Sequence, residues 1–423
     1  MESFPQIPEW VTLEHQVAEI LTQQQIHGWY FDEQAARELE SSLRGEYERT
    51  TQVLRDRYPY VEGVRFTPKR SNKRTGYVEG AELTKLKEFN PTSRDHISWI
   101  LQTHYGWTPS SLTNSGKAVI DETVLKDIGS DIALQFLTLL TLTKQLGMIS
   151  EGVNAWQKLV TTSSRIHHHC SVATATFRCA HRSPNLGQVP SDERFRRLFI
   201  ASPDLRMASA DLSGIELRML AHYLGRYDGG RYARVLLEGD IHQENADKIG
   251  ISRKQVKTVT YAFLYGAGDI KIGHSYDKQL SETQARKKGK EIREAYVSAI
   301  DGLKELLEAV HSASERGYVL GLDKRKILVD KKHKSLNYLL QGSAAIVAKK
   351  WMVITHDHIK EMGLRCNQLA FIHDELQFES VPEHVDDLKS LLVLSAAEAG
   401  EYYNKRIPVA AEAKDGETWA DTH

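Results

Sequence analysis

Cysteine is scarce in this chain. Three residues, Cys170, Cys179 and Cys366, are spread over 423 positions. That is too few, and an odd number, for a disulfide framework, so a reducing compartment is expected. No secretion leader is expected either, because MESFPQIPEW has no basic stretch followed by an apolar one. Long apolar runs are also missing, so no bilayer-spanning segment and no membrane partner are expected, and the expected location is cytoplasmic. Charge of one sign is absent too: the net charge is −1. This neither requires nor excludes a polyanionic partner, since binding depends on where charge sits. There is no internal repeat and no low-complexity tract. What remains is 41% hydrophobic and 26% charged, the composition of a folded globular protein, long enough for two or three core-bearing units.

The first segment has helical texture. Asp32 is an N-cap candidate, and Leu39, Leu43, Tyr47 and Leu54 recur near helical spacing. The pattern breaks at RYPYVEG. The stretch TPKRSNKRTG (67–76) reads as a polar loop, either a solvated surface or a backbone-phosphate contact. Helical texture resumes from Ser93 to Leu159. From 165 to 190 the chain turns to strands and an irregular loop. The run His167, His168, His169, Cys170 lies there and invites a zinc reading. Neighbours on a strand point to opposite faces, so these four are not expected to converge on one ion. A strand is expected over Arg206–Asp211, then a helix through Ile215, Leu217, Leu220 and Tyr223. Long helices are expected over 280–315 and 335–359.

Three places carry chemistry. In SADLSGIELR (209–218), Asp211 ends a strand just before a helix, where an acid serves as N-cap or as metal ligand. In SRKQVKTVTYAFLYGAG (252–268), Ser252 and Gln255 make a capping box, and Gly266 and Gly268 suit the helix end. Arg253, Lys257, Tyr261 and Tyr265 follow at steps of four and make one slowly winding stripe. Val256, Val259 and Phe263 form a separate apolar stripe. Two cations near a helix N-terminus suit a triphosphate, and two rings suit a sugar and base. In AFIHDELQF (370–378), acids interrupt an apolar run, and a turn over His373–Glu375 relieves their burial. Asp374 with Asp211 then suggests a divalent-cation site. Such a site beside a triphosphate helix suits nucleotidyl transfer by in-line displacement at phosphorus.

At this point the sequence resembles the family A DNA polymerases, the bacterial polymerase I type, and within them the replicative polymerases of T-seven-like phages. DLSGIELR (211–218), RKQVKTVTYAFLYG (253–266) and HDE (373–375) are similar to that family's motifs A, B and C. FNPTSRDHI (89–97), TFRCAHRSPNLGQVP (176–190), LLQGSAA (339–345) and the end GETWADTH (416–423) fit as well. The resemblance implies an α+β right-hand polymerase fold, with an antiparallel palm sheet and mostly helical thumb and fingers. It implies a thumb region over 1–160, palm over 161–221 and 336–423, and fingers over 222–335. It makes Asp211 and Asp374 the catalytic metal-binding carboxylates, with the Leu212 carbonyl as a further ligand and Glu375 as a supporting catalytic acid. The implied cofactor is magnesium, two ions, with manganese able to substitute. Arg253, Lys257 and His242 would hold the incoming dNTP. Tyr261 would pack on its sugar, Tyr265 would lie near the templating base, and Glu216 would act as steric gate. Arg178, Gln341, His373 and Asn185 would contact primer–template DNA.

Two departures from the resemblance bear on function. The chain starts almost directly at the thumb, and no Asp-x-Glu exonuclease signature precedes it. No 3′–5′ proofreading by this chain is expected, and a separate exonuclease protein is a candidate partner. The region 61–88 is much shorter than the T-seven-like insertion that binds a thioredoxin clamp, which leaves little ground to expect such a clamp. If the gene is a phage's, the location is the host cytoplasm. The rival readings are a single-subunit RNA polymerase and a catalytically silent polymerase-derived DNA-binding subunit. Glu216 and Glu375 favour the DNA enzyme over the first, and the complete set of acids and stripe residues argues against the second.

Overall fold

Four antiparallel strands make the central sheet, in the order Cys366–Ile372, Glu375–Ser380, Arg206–Leu212, Ala411–Gly416. The computed structural model describes residues 7–277 and 280–423. Arg206–Leu212 lies inside the sheet and buries Met207, Ala208, Ala210 and Leu212. That near-continuous apolar run is what a strand covered on both faces requires. The helix Val385–Tyr402 crosses this strand and Ala411–Gly416. The 28-residue helix Ser335–Met362 packs beside it and buries Leu340, Ile346, Val347 and Trp351. Gly342 of that helix packs closely on Ile327, whose Cδ1 would lie 2.7 Å from an added Cβ and would have to shift.

The chain divides into two compact units, the described residues up to Ala35 with Trp156–His423, and Ala36–Ala155. The helical region expected over 1–160 is therefore split. The helix Glu9–His27 buries Leu13, Val17, Ile20 and Leu21 and packs on Ser335–Met362 and Cys366–Ile372. It lies in the same unit as the sheet. Glu14 on this helix meets both the fully buried Lys349, at 2.8 Å, and Arg325.

The same unit carries a helical lobe. Arg253–Leu264 starts at the expected capping box. Asp269–Tyr276 and Glu282–Ala299 touch backbone to backbone. A Cβ on Gly289 would lie 1.7 Å from the Asp269 carbonyl oxygen, so only glycine allows that approach.

The second unit has its own core of Leu54, Val61, Ile97, Leu101, Phe136 and Leu139. Where the sequence suggested only a broken pattern, the chain forms a hairpin, Tyr60–Phe66 with Leu83–Glu88, around the polar stretch 67–82. Val61 is its one buried strand residue, so the alternation that marks a strand is missing from the sequence. The expectation of no spanning-length apolar run also needs correction. Asp131–Leu159 is long and apolar enough to cross a membrane by length and composition. It is interrupted, however: the helix Asp131–Leu146 gives way to a π-turn at Gly147–Glu151. Phe136, Leu139, Leu142 and Leu146 are buried, which is the pattern of a core helix.

Candidate active site

The acids meet at the end of the sheet. Ile372 pairs with Glu375, so His373 and Asp374 form a two-residue hairpin loop. His373 adopts φ 61°, the left-handed conformation such a loop demands. Asn or Gly is the usual occupant, so His at this position is a departure from ordinary turn chemistry. The turn is shorter than the expected His373–Glu375, because Glu375 already lies on the strand. The Leu212 amide donates to the Asp374 carbonyl at 3.0 Å and fastens the loop to the end of the central strand. In the ladder Asp211 stands opposite Glu375 on one side and Glu412 on the other. Like charges directly opposite one another destabilise a sheet.

These acids perturb one another. Burial, then Asp211 and Glu216, push the Asp374 carboxyl up to about 7, against a smaller opposing pull from Arg178. Burial, then Glu375, push Asp211 up to about 6, with Glu216 and Glu412 adding to the rise and His423 opposing it. Asp211 keeps an exposed edge toward solvent. Two adjacent acids in this state favour a divalent cation, which would relieve the repulsion that raises them.

Glu375 behaves differently. It is buried, and its carboxylate accepts from Gln377 and from the Trp419 indole N–H at 2.9 Å on one oxygen, with His423 Nδ1 3.1 Å from the other. Burial would raise it, but these partners hold it below the ordinary carboxylate range. Both oxygens are thus engaged by the protein. Glu412, Gln377 and Trp419 were not singled out in the sequence. Glu412 lies in the alternating stretch AEAKDG, and only the strand register shows it beside Asp211.

The helix Arg253–Leu264 brings its C-terminal end to the acids, where the Tyr265 hydroxyl reaches Glu216. Val256, Val259 and Phe263 are buried, as their spacing predicts. Arg253 and Lys257 are exposed, Tyr261 is half-buried, and Tyr265 follows the last helical turn. Arg253 Nε donates to Asp240 at 2.6 Å. His242 is buried, its ring 6.3 Å from that of Tyr261, and burial keeps it neutral. Burial, then Glu216 and Asp374, raise the Tyr261 phenol, which places this ring within the field of the acids.

Glu216 links the parts. Its Oε1 accepts from Arg178 at 2.5 Å and from the Tyr265 hydroxyl at 3.0 Å. Three residues predicted from separate segments therefore form one network. His373, Asn185 and His181 converge at Gly187, where a Cβ would lie 3.6 Å from His373 Nε2 and 3.4 Å from Asn185 Oδ1. Gln341 is half-buried on the Ser335–Met362 helix, one residue from Gly342, which approaches the Thr176 carbonyl.

An antiparallel sheet ending in paired acids, faced by a helix with a basic end and an aromatic end, defines a site of the nucleotide-polymerising class. The comparisons give the family. The model for DNA polymerase family A matches residues 68–421. The DNA-directed DNA polymerases of Enterobacteria phage T3 and Escherichia phage T7 are each 32% identical over 98% of this chain and 70% of their own length. A DNA polymerase I of Chloroflexus aurantiacus is 27% identical over 78% of this chain and 37% of its own length. The fold is similar to the POL domain of Pol1 from M. smegmatis in complex with DNA primer-template and dNTP. The TM-score is 0.79 at 21% identity, covering 97% of this chain and 70% of that one. The chain belongs to DNA polymerase family A, and it is a DNA polymerase with the α+β fold of that family.

Proposed function

We propose that this chain extends a primer 3′ end on a DNA template with dNTPs. The observation that carries the reading is the meeting of Asp211 and Asp374 through the Leu212–Asp374 backbone hydrogen bond, with Tyr265, at the end of the stripe that begins at Arg253, bonded to Glu216. Asp211 and Asp374, with the Leu212 carbonyl, would hold two magnesium ions, or manganese in their place. When bound, such ions lower the pKa of the attacking hydroxyl and offset charge on the leaving group.

The chain's own residues do the rest. Arg253 and Lys257 attract the triphosphate, aided by the helix N-terminus. His242, held neutral, offers a hydrogen bond rather than charge. Tyr261 receives the sugar, and Glu216 occupies the space that a ribose 2′-hydroxyl would need. Tyr265 lies toward the templating base. His373 and Asn185 receive the primer end, and Arg178 and Gln341 donate into the minor groove, where correct pairs present similar acceptors. Glu375 positions the turn rather than holding an ion. The division into thumb (1–160), palm (161–221 and 336–423) and fingers (222–335) belongs to the same proposal, as does action in a host cytoplasm. The phage polymerases are similar over nearly all of this chain, which supports it.

The test is primer extension by the purified chain with dNTPs or rNTPs, on matched and mismatched primers. Extension with dNTPs, and no shortening of the mismatched primer, is expected. Preferential rNTP use would overturn the DNA assignment. Primer shortening would overturn the proposed lack of 3′–5′ exonuclease activity and make a separate exonuclease partner unnecessary.

A further inference from the structure

The run His167–Cys170 was not expected to bind a metal because its neighbours alternate. That holds for the four together. His167 Nδ1 lies 2.8 Å from the Gln25 carbonyl, and His169 Nδ1 lies 3.0 Å from Gln25 Oε1. The other two, His168 and Cys170, are two positions apart and share the opposite face. Ladder pairing then supplies a third ligand from outside the run. Cys170 on the strand His169–Ser171 stands opposite His181 on Ala180–Arg182. One ligand atom each from His168, Cys170 and His181 lies within 4.8 Å of the others.

We propose that His168, Cys170 and His181 bind a zinc ion, with Gln24 as a fourth ligand. Cys170 Sγ lies 3.3 Å from His181 Nδ1. Sulfur and nitrogen on one tetrahedral zinc stand about 3.5 Å apart, given bonds of about 2.3 Å and about 2.0 Å. Gln24 Nε2 lies 3.1 Å from His168 Nε2 and 3.6 Å from Cys170 Sγ. Half a turn of this amide would present Oε1 at the same place. The neighbouring Gln368 has an unpartnered Oε1 and could accept the displaced NH₂ after a half turn of its own.

His168 is fully buried and His181 nine-tenths buried. The nitrogens that face the cluster, His168 Nε2 and His181 Nδ1, meet Gln24 and the Cys170 thiol, the same groups that would share the ion. Cys170 would bind as the thiolate, so one H⁺ leaves for each ion taken up. Cys170 is partly buried. The ion would tie the Glu9–His27 helix to the strand pair beneath the primer loop, since the His181 ring lies 6.3 Å from that of His373.

The test uses the full untagged chain, stripped of metal and then exposed to zinc or cobalt, with excess magnesium to occupy the carboxylates. One zinc per chain should survive desalting. Cobalt should give a thiolate-to-metal charge-transfer band, which a carboxylate site cannot produce. The band should vanish in Cys170→Ser and persist in Cys366→Ser. Should Cys170→Ser fail to fold, His168→Gln is expected to weaken zinc retention, and competition with a chromophoric chelator reads the unmodified chain directly. Substoichiometric zinc, cobalt without the band, or a band that survives Cys170→Ser would each overturn the proposal.

Discussion

Arg178 and Tyr265 share one oxygen of Glu216, with Arg178 at 2.5 Å and the Tyr265 hydroxyl at 3.0 Å. Removal of the Glu216 carboxylate releases both donors and opens the volume it fills. Glu216→Ala should raise rNTP incorporation relative to dNTP by about tenfold or more, a ratio read from single-nucleotide extension. An unchanged ratio would take the gate role from Glu216.

The Asp374 carbonyl fastens the loop to Leu212, so the carboxylate can be altered without loss of that backbone bond. Asp374→Asn should lower the extension rate at least about a hundredfold. Primer–template affinity, measured by fluorescence anisotropy, should change little. Extension close to the normal rate would remove Asp374 from the chemistry.

Lys257 is exposed and makes no ion pair among the described residues, whereas Arg253 is held by Asp240. Lys257→Ala should raise the KM for dNTP about tenfold while DNA affinity stays unchanged. A matching loss of DNA affinity would make Lys257 a template-strand contact instead.

Glu379 is completely buried and yields a pH prediction. Its carboxylate accepts from Ser202 Oγ at 2.6 Å and Ser202 N at 2.9 Å, and lies 2.6 Å from His27 Nε2. Burial pushes its pKa up, but these partners more than offset that and hold it below the ordinary 4.5. A depressed carboxylate stabilises the fold above its unfolded-state pKa, and that contribution is lost as pH falls through the folded value. Glu379→Gln should therefore cost about 2 kcal/mol near pH 7. The gap should narrow below about pH 4, as urea unfolding at several pH values would show. A gap constant with pH would mean that packing, not charge, carries the effect.

Gly289 offers a purely steric test. Gly289→Ala places a methyl 1.7 Å from the Asp269 carbonyl oxygen and should cost about 3 kcal/mol or force the two helices apart. Thermal unfolding of that variant unchanged from the parent would contradict the close approach.

Local signals were legible and tertiary ones were not. The capping box at Ser252 and the buried stripe Val256, Val259 and Phe263 follow from short-range spacing, and the helix forms there. The hairpin at 60–88 was missed because its strands bury almost nothing. Glu375 looked like a turn acid because Gln377 alone, of its close neighbours in sequence, helps satisfy it in the strand. Its partners Trp419 and His423 arrive from more than forty positions away. The His168–Cys170–His181 grouping was hidden for a related reason, since a strand's alternation can be read from one segment but its register cannot.

The contact between His423 and Glu375 also bears on how the protein is handled. Anything fused behind His423 leaves the molecule from beside the acids of the sheet. An oligohistidine handle placed there would disturb the hold on Glu375 and bring competing imidazoles next to the carboxylates proposed to hold the metal ions.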